Sequence, residues 1–304
     1  MAITLKVSVC MITYNHEKYI REAIEGVLMQ ECDFEVELIV ANDCSIDTTD
    51  KVIQDILQIH PRASWIKYIK HKVNIGMMPN FFDAMQQCQG KYIALCEGDD
   101  YWTDSLKLQK QVAFLEGNEE YSLVCGGYET LIEESRETSL MLKSTEQLPD
   151  NLDSGFDITI ERFLNQWLTK SLTLVFRKDF LDFKLLKKYK YLRDVHLNYS
   201  LLRVGKGYYM KIILGVYRVH AGGIFSEISE KDKYISYLNV YGELYRKNKS
   251  DKFLKQKYYE LLKNASNNSF NIEKPFVFYF KMFLISKNIK DLKLLIKSIV
   301  VFKK

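Results

Sequence analysis

Short apolar, β-branched runs alternate with stretches of helical period through the first hundred residues, and that alternation limits what the chain can fold into. Val7–Thr13, Glu37–Ala41, Trp65–Ile69 and Tyr92–Cys96 are predicted strands. Between them Glu17–Met29, Asp47–Ile59 and Pro79–Gln87 carry apolar residues at helical spacing. Such an order predicts an α/β fold, a Rossmann-like and mostly parallel sheet with helices on both faces. Ligands of such sheets bind beyond the carboxyl ends of the strands. Further on, a helix is expected over Leu106–Leu115, a strand over Val124–Tyr128 and a long loop over Glu133–Ser154. Ile158–Trp167 and Asp194–Val204 are expected as helices, Leu172–Arg177 as a strand and Tyr208–Tyr217 as a strand or hairpin.

With 304 residues, 47% of them hydrophobic, the chain can bury a large core, in one domain or two. A net charge of +4 on mixed charges does not argue for nucleic acid. Cys10, Cys32, Cys44, Cys88, Cys96 and Cys125 form no C-x-x-C pair and several lie in apolar runs. They are expected to be reduced thiols of a cytoplasmic protein. No apolar stretch is long enough for a membrane span, and Met1–Val9 lacks the features of a secretory signal.

Three of the predicted strands end in polar clusters. Thr13-Tyr14-Asn15-His16 follows the first, Asn42-Asp43-Cys44-Ser45-Ile46-Asp47 the second, and Glu97-Gly98-Asp99-Asp100 the strand ending at Cys96. Three acids on one strand end repel one another unless positive charge sits there, and Mg2+ or Mn2+ suits carboxylate oxygen. The alternative is an acidic turn leading into a helix. Asp43 can accept a base N–H, while Ser45 and Asp47 can serve only to cap the next helix.

These residues resemble family-2 glycosyltransferases of the GT-A fold, of the type found in bacterial surface-polysaccharide synthesis. The resemblance runs from Val7 to about Ser226. It rests on Val9-Cys10-Met11-Ile12-Thr13-Tyr14-Asn15, the Asn42–Asp47 cluster, Asn74-Ile75-Gly76 with Asn80, and Glu97-Gly98-Asp99-Asp100-Tyr101-Trp102. Arg193-Asp194 and Tyr217-Arg218-Val219-His220-Ala221-Gly222-Gly223 complete it. It implies transfer of a sugar from a nucleotide diphosphate donor, commonly a UDP-sugar, to a hydroxyl of a glycan or lipid-linked glycan, by metal-assisted single displacement with inversion. Thr13 and Asn15 would line the nucleotide pocket with Asn80, Asp43 would meet the base, and Glu97 the ribose or sugar. Asp99 would bind the metal, Mn2+ or Mg2+, with His220 as second ligand or diphosphate contact. Asp194 falls where the family carries its catalytic base. Trp102 is an acceptor-side platform or a core tryptophan, Asp194 a base or a plain N-cap, and His220 a ligand or a structural residue.

The sequence departs from the family pattern at Asn42, where Asp is usual, at Cys44, where Gly is frequent, and at Glu97, where Asp is usual. Cys44 bears on the backbone of its loop. A non-catalytic glycan-binding member of the same fold is one rival function, and a sugar-nucleotide pyrophosphorylase another. The latter would want a glycine-rich turn after the first strand, which Thr13–His16 lacks.

The expected division is a catalytic domain over residues 1–228 and a helical, lysine- and aromatic-rich extension over 229–304. Aromatics and lysines interleave from Phe270 to Lys304. They fit either helices lying on an anionic membrane surface, at the inner face of a cell membrane, or an amphipathic helix packed on the catalytic domain.

Overall fold

The computed structural model describes residues 5–135, 138–143, 155–166, 168–223, 228–267 and 275–301. The chain divides into two compact units: residues 1–184 with 197–226, and residues 185–196 with 227–304.

The first unit is built on one mixed sheet, ten-stranded among the described residues. Its first half follows the expected alternation: β1 Leu5–Thr13, α1 Ile20–Leu28, β2 Glu35–Asn42, α2 Thr49–Ile59, β3 Ile66–Lys70, α3 Met77–Gln87 and β4 Tyr92–Leu95. These four strands are parallel, in the order β3-β2-β1-β4. Val7, Val9 and Met11 of β1 are fully buried, and Ser8 and Cys10 on the other face are buried too. A strand covered on both faces carries a near-continuous apolar run, which is why β1 and β2 show no alternation. Helix α1 covers one face with Ile20, Ala23, Ile24, Val27 and Leu28.

The second half of the sheet is less regular. After the two-residue strand β5 Tyr101–Trp102 come α4 Lys107–Gly117 and β6 Tyr121–Ser135. Then follow β7 Thr138–Lys143, β8 Gly155–Ile158, α5 Ile160–Asn165, β9 Val175–Arg177, α6 Phe183–Leu186, α7 Asp194–Leu202 and β10 Lys206–Val219. Strand β9 lies antiparallel between β4 and β6, and β10 runs parallel to β6. It follows that β1, β2, β3, β4, β6 and β10 all point the same way.

Several expectations are corrected. The segment from Glu133 is not a loop at its start: β6 continues to Ser135 and pairs antiparallel with β7. Cross-strand pairing outweighs the polar composition there, and residues 144–154 lie outside the described ones. Ile158 pairs with Gly207 as part of β8, so the helix starts two residues later, behind a Thr159 cap. Trp167 lies outside the described residues. Leu172 and Thr173 form a 3-10 turn, and the strand begins at Val175. Tyr208–Tyr217 belongs to one fourteen-residue strand rather than a hairpin, with register shifts along β6.

The second unit contains α8 Glu230–Lys247, α9 Lys252–Asn267, α10 Pro275–Ser286 and α11 Ile289–Val301. Residues 185–196, which the sequence grouped with the sheet, belong to this unit. Glu243 of α8 is one reason: its carboxylate accepts the backbone N–H groups of Lys190 and Tyr191, at 3.0 and 2.9 Å.

Lys107 is fully buried behind the sheet. Its ammonium donates to Gln111 Oε1 at 2.8 Å and sits 4.0 Å from the centre of the Trp102 ring. Burial draws its pKa down to about 7, against weaker opposing pulls from Cys96 and Asp104. Between about pH 7 and the ordinary lysine value near 10.5 the unfolded chain holds a proton that the folded chain does not. Stability therefore gains from this group as pH rises through that window. In urea melts compared at pH 7 and pH 9, Lys107→Met is expected to lack that gain.

Candidate donor-binding site

Because six strands share one direction, their carboxyl ends gather the polar clusters along one edge. Loop 13–19 leaves β1, loop 42–49 leaves β2, the acidic loop 97–100 leaves β4, and His220 follows β10.

The first two loops are laced together. Asn15 N–H donates to Ser45 Oγ at 2.9 Å, and Ile46 N–H donates to Asn15 Oδ1 at 2.9 Å. His16 N–H donates to Thr49 Oγ1, and Glu17 N–H to Asp47 Oδ2. Glu17 in turn accepts the N–H and hydroxyl of Thr48, at 2.9 and 2.7 Å, at the start of α2. A carboxylate there satisfies helix N–H groups and meets the positive end of the helix dipole. Asn15 and Cys44 both take left-handed backbone, with φ of 57° and 60°. The cysteine thus adopts the conformation that glycine takes freely. It is held by Asn42, whose Oδ1 accepts from the N–H and hydroxyl of Ser45 at 3.0 and 2.6 Å.

Asp43 is 2% exposed and accepts the backbone N–H groups of Ile75 and Gly76, at 2.7 and 2.8 Å. It thereby folds the Asn74–Gly76 turn against the end of β2. Asn80 is 1% exposed: its amide donates to Ala41 O, and its oxygen lies 3.0 Å from His71 Nε2. Its side chain braces α3 against β2 instead of opening on the cleft as expected. Thr13 is buried, and its hydroxyl has no hydrogen-bond partner.

The acidic loop is pinned from three sides. Gly98 packs so closely that a Cβ there would stand 2.8 Å from Thr13 Oγ1 and 3.0 Å from His16 Nδ1. Asp100 is buried and accepts the Arg218 backbone N–H at 2.9 Å. Burial, with Asp99 and Glu97 beside it, holds the Asp100 carboxyl well above the usual carboxylate range. The Arg218 guanidinium donates to the Asp99 carbonyl at 3.0 Å, pairs with Glu22 of α1, and lies over the Tyr19 and Tyr101 rings. One side chain of β10 thus fastens both α1 and the acidic loop.

Asp99 extends from this frame. Its Oδ2 is 3.3 Å from His220 Nε2 and 3.8 Å from His16 Nε2. Burial pushes its carboxyl up, but the His220 hydrogen bond and the His16 ring bring it below its ordinary value. The His220 ring packs tilted against that of Tyr19, with ring centres 4.6 Å apart. A cavity of about 300 Å³ opens here, lined by Tyr14, Asn15, Lys18, Tyr19, Asp47 and His220 among others. His16 and Arg218 lie within the quoted motifs but were given no role there, and Glu22, the partner of Arg218, lies in none of them. His16 was visible beside Asn15, but nothing in the sequence joins residue 22 to residue 218.

Among the described residues no three His, Cys, Asp or Glu side chains form a metal-holding group. Two of them do stand at ligand spacing. Ligand atoms each about 2.1 Å from one cation at right angles are roughly 3 Å apart, close to the Asp99–His220 separation. A carboxylate kept ionised beside an imidazole fits a Mn2+- or Mg2+-type ion whose remaining positions are filled by phosphate and water.

Of the two readings of Trp102, acceptor platform or core tryptophan, its burial fits the second. It is 2% exposed, its indole N–H donates to Leu172 O at 2.7 Å, and its backbone packs on Gly26 of α1. Asp194 belongs to the second unit, exposed at the first residue of α7, where its Oδ1 accepts the Val195 N–H at 2.9 Å. His196 completes that helix start by accepting the Arg193 N–H at 3.1 Å, and burial lowers its pKa to about 4.

The strained loop gives a test. Cys44→Gly is expected to raise unfolding free energy by up to about 1 kcal/mol, the left-handed penalty less the entropy of glycine. Cys44→Val is expected to lower it by at least about 1 kcal/mol, since a β-branched residue tolerates that conformation worst. Chemical denaturation of both variants checks the pair.

Comparison with known proteins identifies the family and the fold. The model of glycosyl transferase family 2 matches residues 8–179, more than half of the chain. An uncharacterised protein of Mycobacterium tuberculosis is 45% identical over 118 residues, 39% of this chain and 33% of that protein. The glycosyltransferase candidate EpsE of Bacillus subtilis is 35% identical over 122 residues, 40% of this chain and 42% of EpsE. The teichuronic acid biosynthesis glycosyltransferase candidate TuaG of the same organism is 32% identical over 109 residues, 36% of this chain and 41% of TuaG. The matched segment is thus about a third of the mycobacterial relative's length and about two fifths of each Bacillus protein. Among solved structures, S. aureus TarS 1–349 in complex with UDP-GlcNAc aligns over 97% of this chain and 79% of its own, with TM-score 0.62 and 18% identity. The mannosyltransferase PcManGT from Pyrobaculum calidifontis, in complex with GDP-Man and Mn2+, aligns over 98% and 87%, with TM-score 0.56 and 13% identity. At such identities the structures speak for the fold, which is GT-A. On the family match, this chain belongs to glycosyl transferase family 2.

Proposed function

We propose that the chain transfers a sugar from a nucleoside diphosphate donor, UDP-linked, to a hydroxyl of a glycan or lipid-linked glycan acceptor, with inversion. The observation that carries this is Asp99: a carboxylate kept ionised, facing His220 at 3.3 Å, on an edge where three strand-end loops meet. The family match and the nucleotide sugars bound by TarS and PcManGT support the donor class. The names of EpsE and TuaG support a surface-polysaccharide setting.

In this function Asp99 and His220 would hold a divalent cation, Mn2+ or Mg2+. When bound, that cation would supply positive charge to the departing diphosphate. Glu97 reaches the ribose or sugar hydroxyls. Asp43 keeps lone pairs beyond those given to Ile75 and Gly76, and these serve the base. Thr13 and Asn15 line the nucleotide side, with Asn80 bracing it from behind. The acceptor oxygen attacks the sugar C1 as the C1–O bond to the diphosphate breaks, and its proton passes to the Asp194 carboxylate. A single base suffices, because no covalent intermediate forms. The sheet and its loops form the catalytic domain, within residues 1–228, and the helices after residue 229 are an extension that keeps the enzyme peripheral at the inner membrane face. No described helix is long and apolar enough to cross a membrane.

The test is a set of nucleotide sugars with Mn2+, read first as thermal stabilisation. A donor at a hundred times its Kd is expected to add about 2.7 kcal/mol. Asp99→Asn is expected to lose the metal-dependent part of that gain. Asp194→Asn should keep it and lose about 10²- to 10⁴-fold in transfer. Unchanged turnover in Asp194→Asn removes that residue from the mechanism, and stabilisation by no nucleotide sugar removes the function.

A further inference from the structure

Helices α10 and α11 pack on each other through a two-residue turn, Lys287-Asn288, with Lys287 in left-handed backbone at φ 55°. Met282, Ile285 and Leu295 are buried, at 1%, 6% and 7% exposure. The outward stripes differ from those of a water-facing helix. On α10 Phe280 and Leu284 recur at i and i+4, with Lys287 in the turn just beyond, and on α11 Ile289, Lys293 and Ile296 recur at i, i+4 and i+7. Phe280 is 42% exposed, Leu284 46%, Ile289 70% and Ile296 51%. Lys281 and Lys290 are exposed beside them.

The exposed charge on the described residues of this pair of helices has one sign. Asp291 is the only acidic residue between Pro275 and Val301. It is 4% exposed and accepts the hydroxyls of Tyr259, at 2.8 Å, and Ser286. A helix pair meant for water mixes acids among its lysines. Here the acid is turned in, while large apolar side chains and lysines are turned out. Apolar side chains that enter the acyl boundary, flanked by cations that meet lipid phosphates, are the signature of an interfacial helix on anionic lipid.

We propose that α10 and α11 form a docking face for an anionic bilayer, with Phe280, Leu284, Ile289 and Ile296 entering the headgroup boundary and Lys281, Lys287, Lys290 and Lys293 on lipid phosphates. This deepens the membrane part of the proposed function, but it rests on no catalytic residue.

The test uses the full chain and flotation with vesicles of phosphatidylcholine, alone or mixed with phosphatidylglycerol. Binding is expected only to the anionic vesicles, and it falls as salt rises. Lys287→Gln with Lys293→Gln is expected to weaken binding about thirty-fold, from about a fivefold loss per lysine. Phe280→Ser with Leu284→Ser is expected to weaken it further. A wild-type chain that ignores anionic vesicles overturns the proposal, as does the lysine pair binding like wild type. A dimer seen by light scattering, split by the Phe280 and Leu284 substitutions and without vesicle binding, overturns it in favour of a second copy. If the serine variant does not fold, the exposed lysine pair decides alone. Asp99→Asn, assayed in parallel, separates the two ideas: it keeps vesicle binding whatever it does to donor binding.

Discussion

The shared direction of β1, β2, β3, β4, β6 and β10 is the constraint on which the donor-site geometry rests. Strands that run together deliver their loops to one edge. Four segments distant in sequence therefore meet there, and their polar side chains face one another instead of scattering over the surface. Strand β9 keeps this order across the middle of the sheet. It is inserted antiparallel between β4 and β6, and β6 and β10 beyond it point the same way as β1 and β4.

Gathering acids at one edge has a cost, and the site meets it in two ways. Asp100 is buried, with its carboxyl held toward the neutral form, and its Oδ1 accepts a strand N–H. Asp99 is kept ionised by imidazoles close to it. Two adjacent carboxyls thus have opposite tendencies because their surroundings differ: one faces the core and the other an edge with partners. Arg218 joins the two environments. It gives its backbone N–H to Asp100, and one guanidinium nitrogen to the carbonyl of Asp99. The laced loops after β1 and β2 complete a frame in which few polar groups must reorganise before a ligand binds.

Much of this was legible in the sequence where the signal is local. The apolar runs of β1, β2 and β4 are continuous because both faces are buried, and their ends are marked by polar residues. Glu97–Asp100 stood out because three acids within four residues are hard to place elsewhere. Local signals failed where distant chain segments decide. The segment after Glu133 has a polar composition, yet it begins as β6 and returns as β7 because each strand pairs with the other. Trp102 lies next to the acidic motif in sequence, but its ring turns toward the core, since strand neighbours face opposite sides. Asn80 matched a motif, yet its amide is spent on the backbone of β2.

The amino-acid sequence by itself determined the α/β class, the order of the elements and the residue types that end each strand. Those follow from hydrophobic period and from the demands of charged groups, which act over a few residues. Only the tertiary structure decided which of those residues face one another. His16 meets Asp99, Glu22 meets Arg218 across 196 positions, and lysines and apolar side chains of α10 and α11 are left exposed together. Contacts of that kind depend on strand order, register and the rotation of each helix, which packing of the whole chain sets and no local pattern encodes.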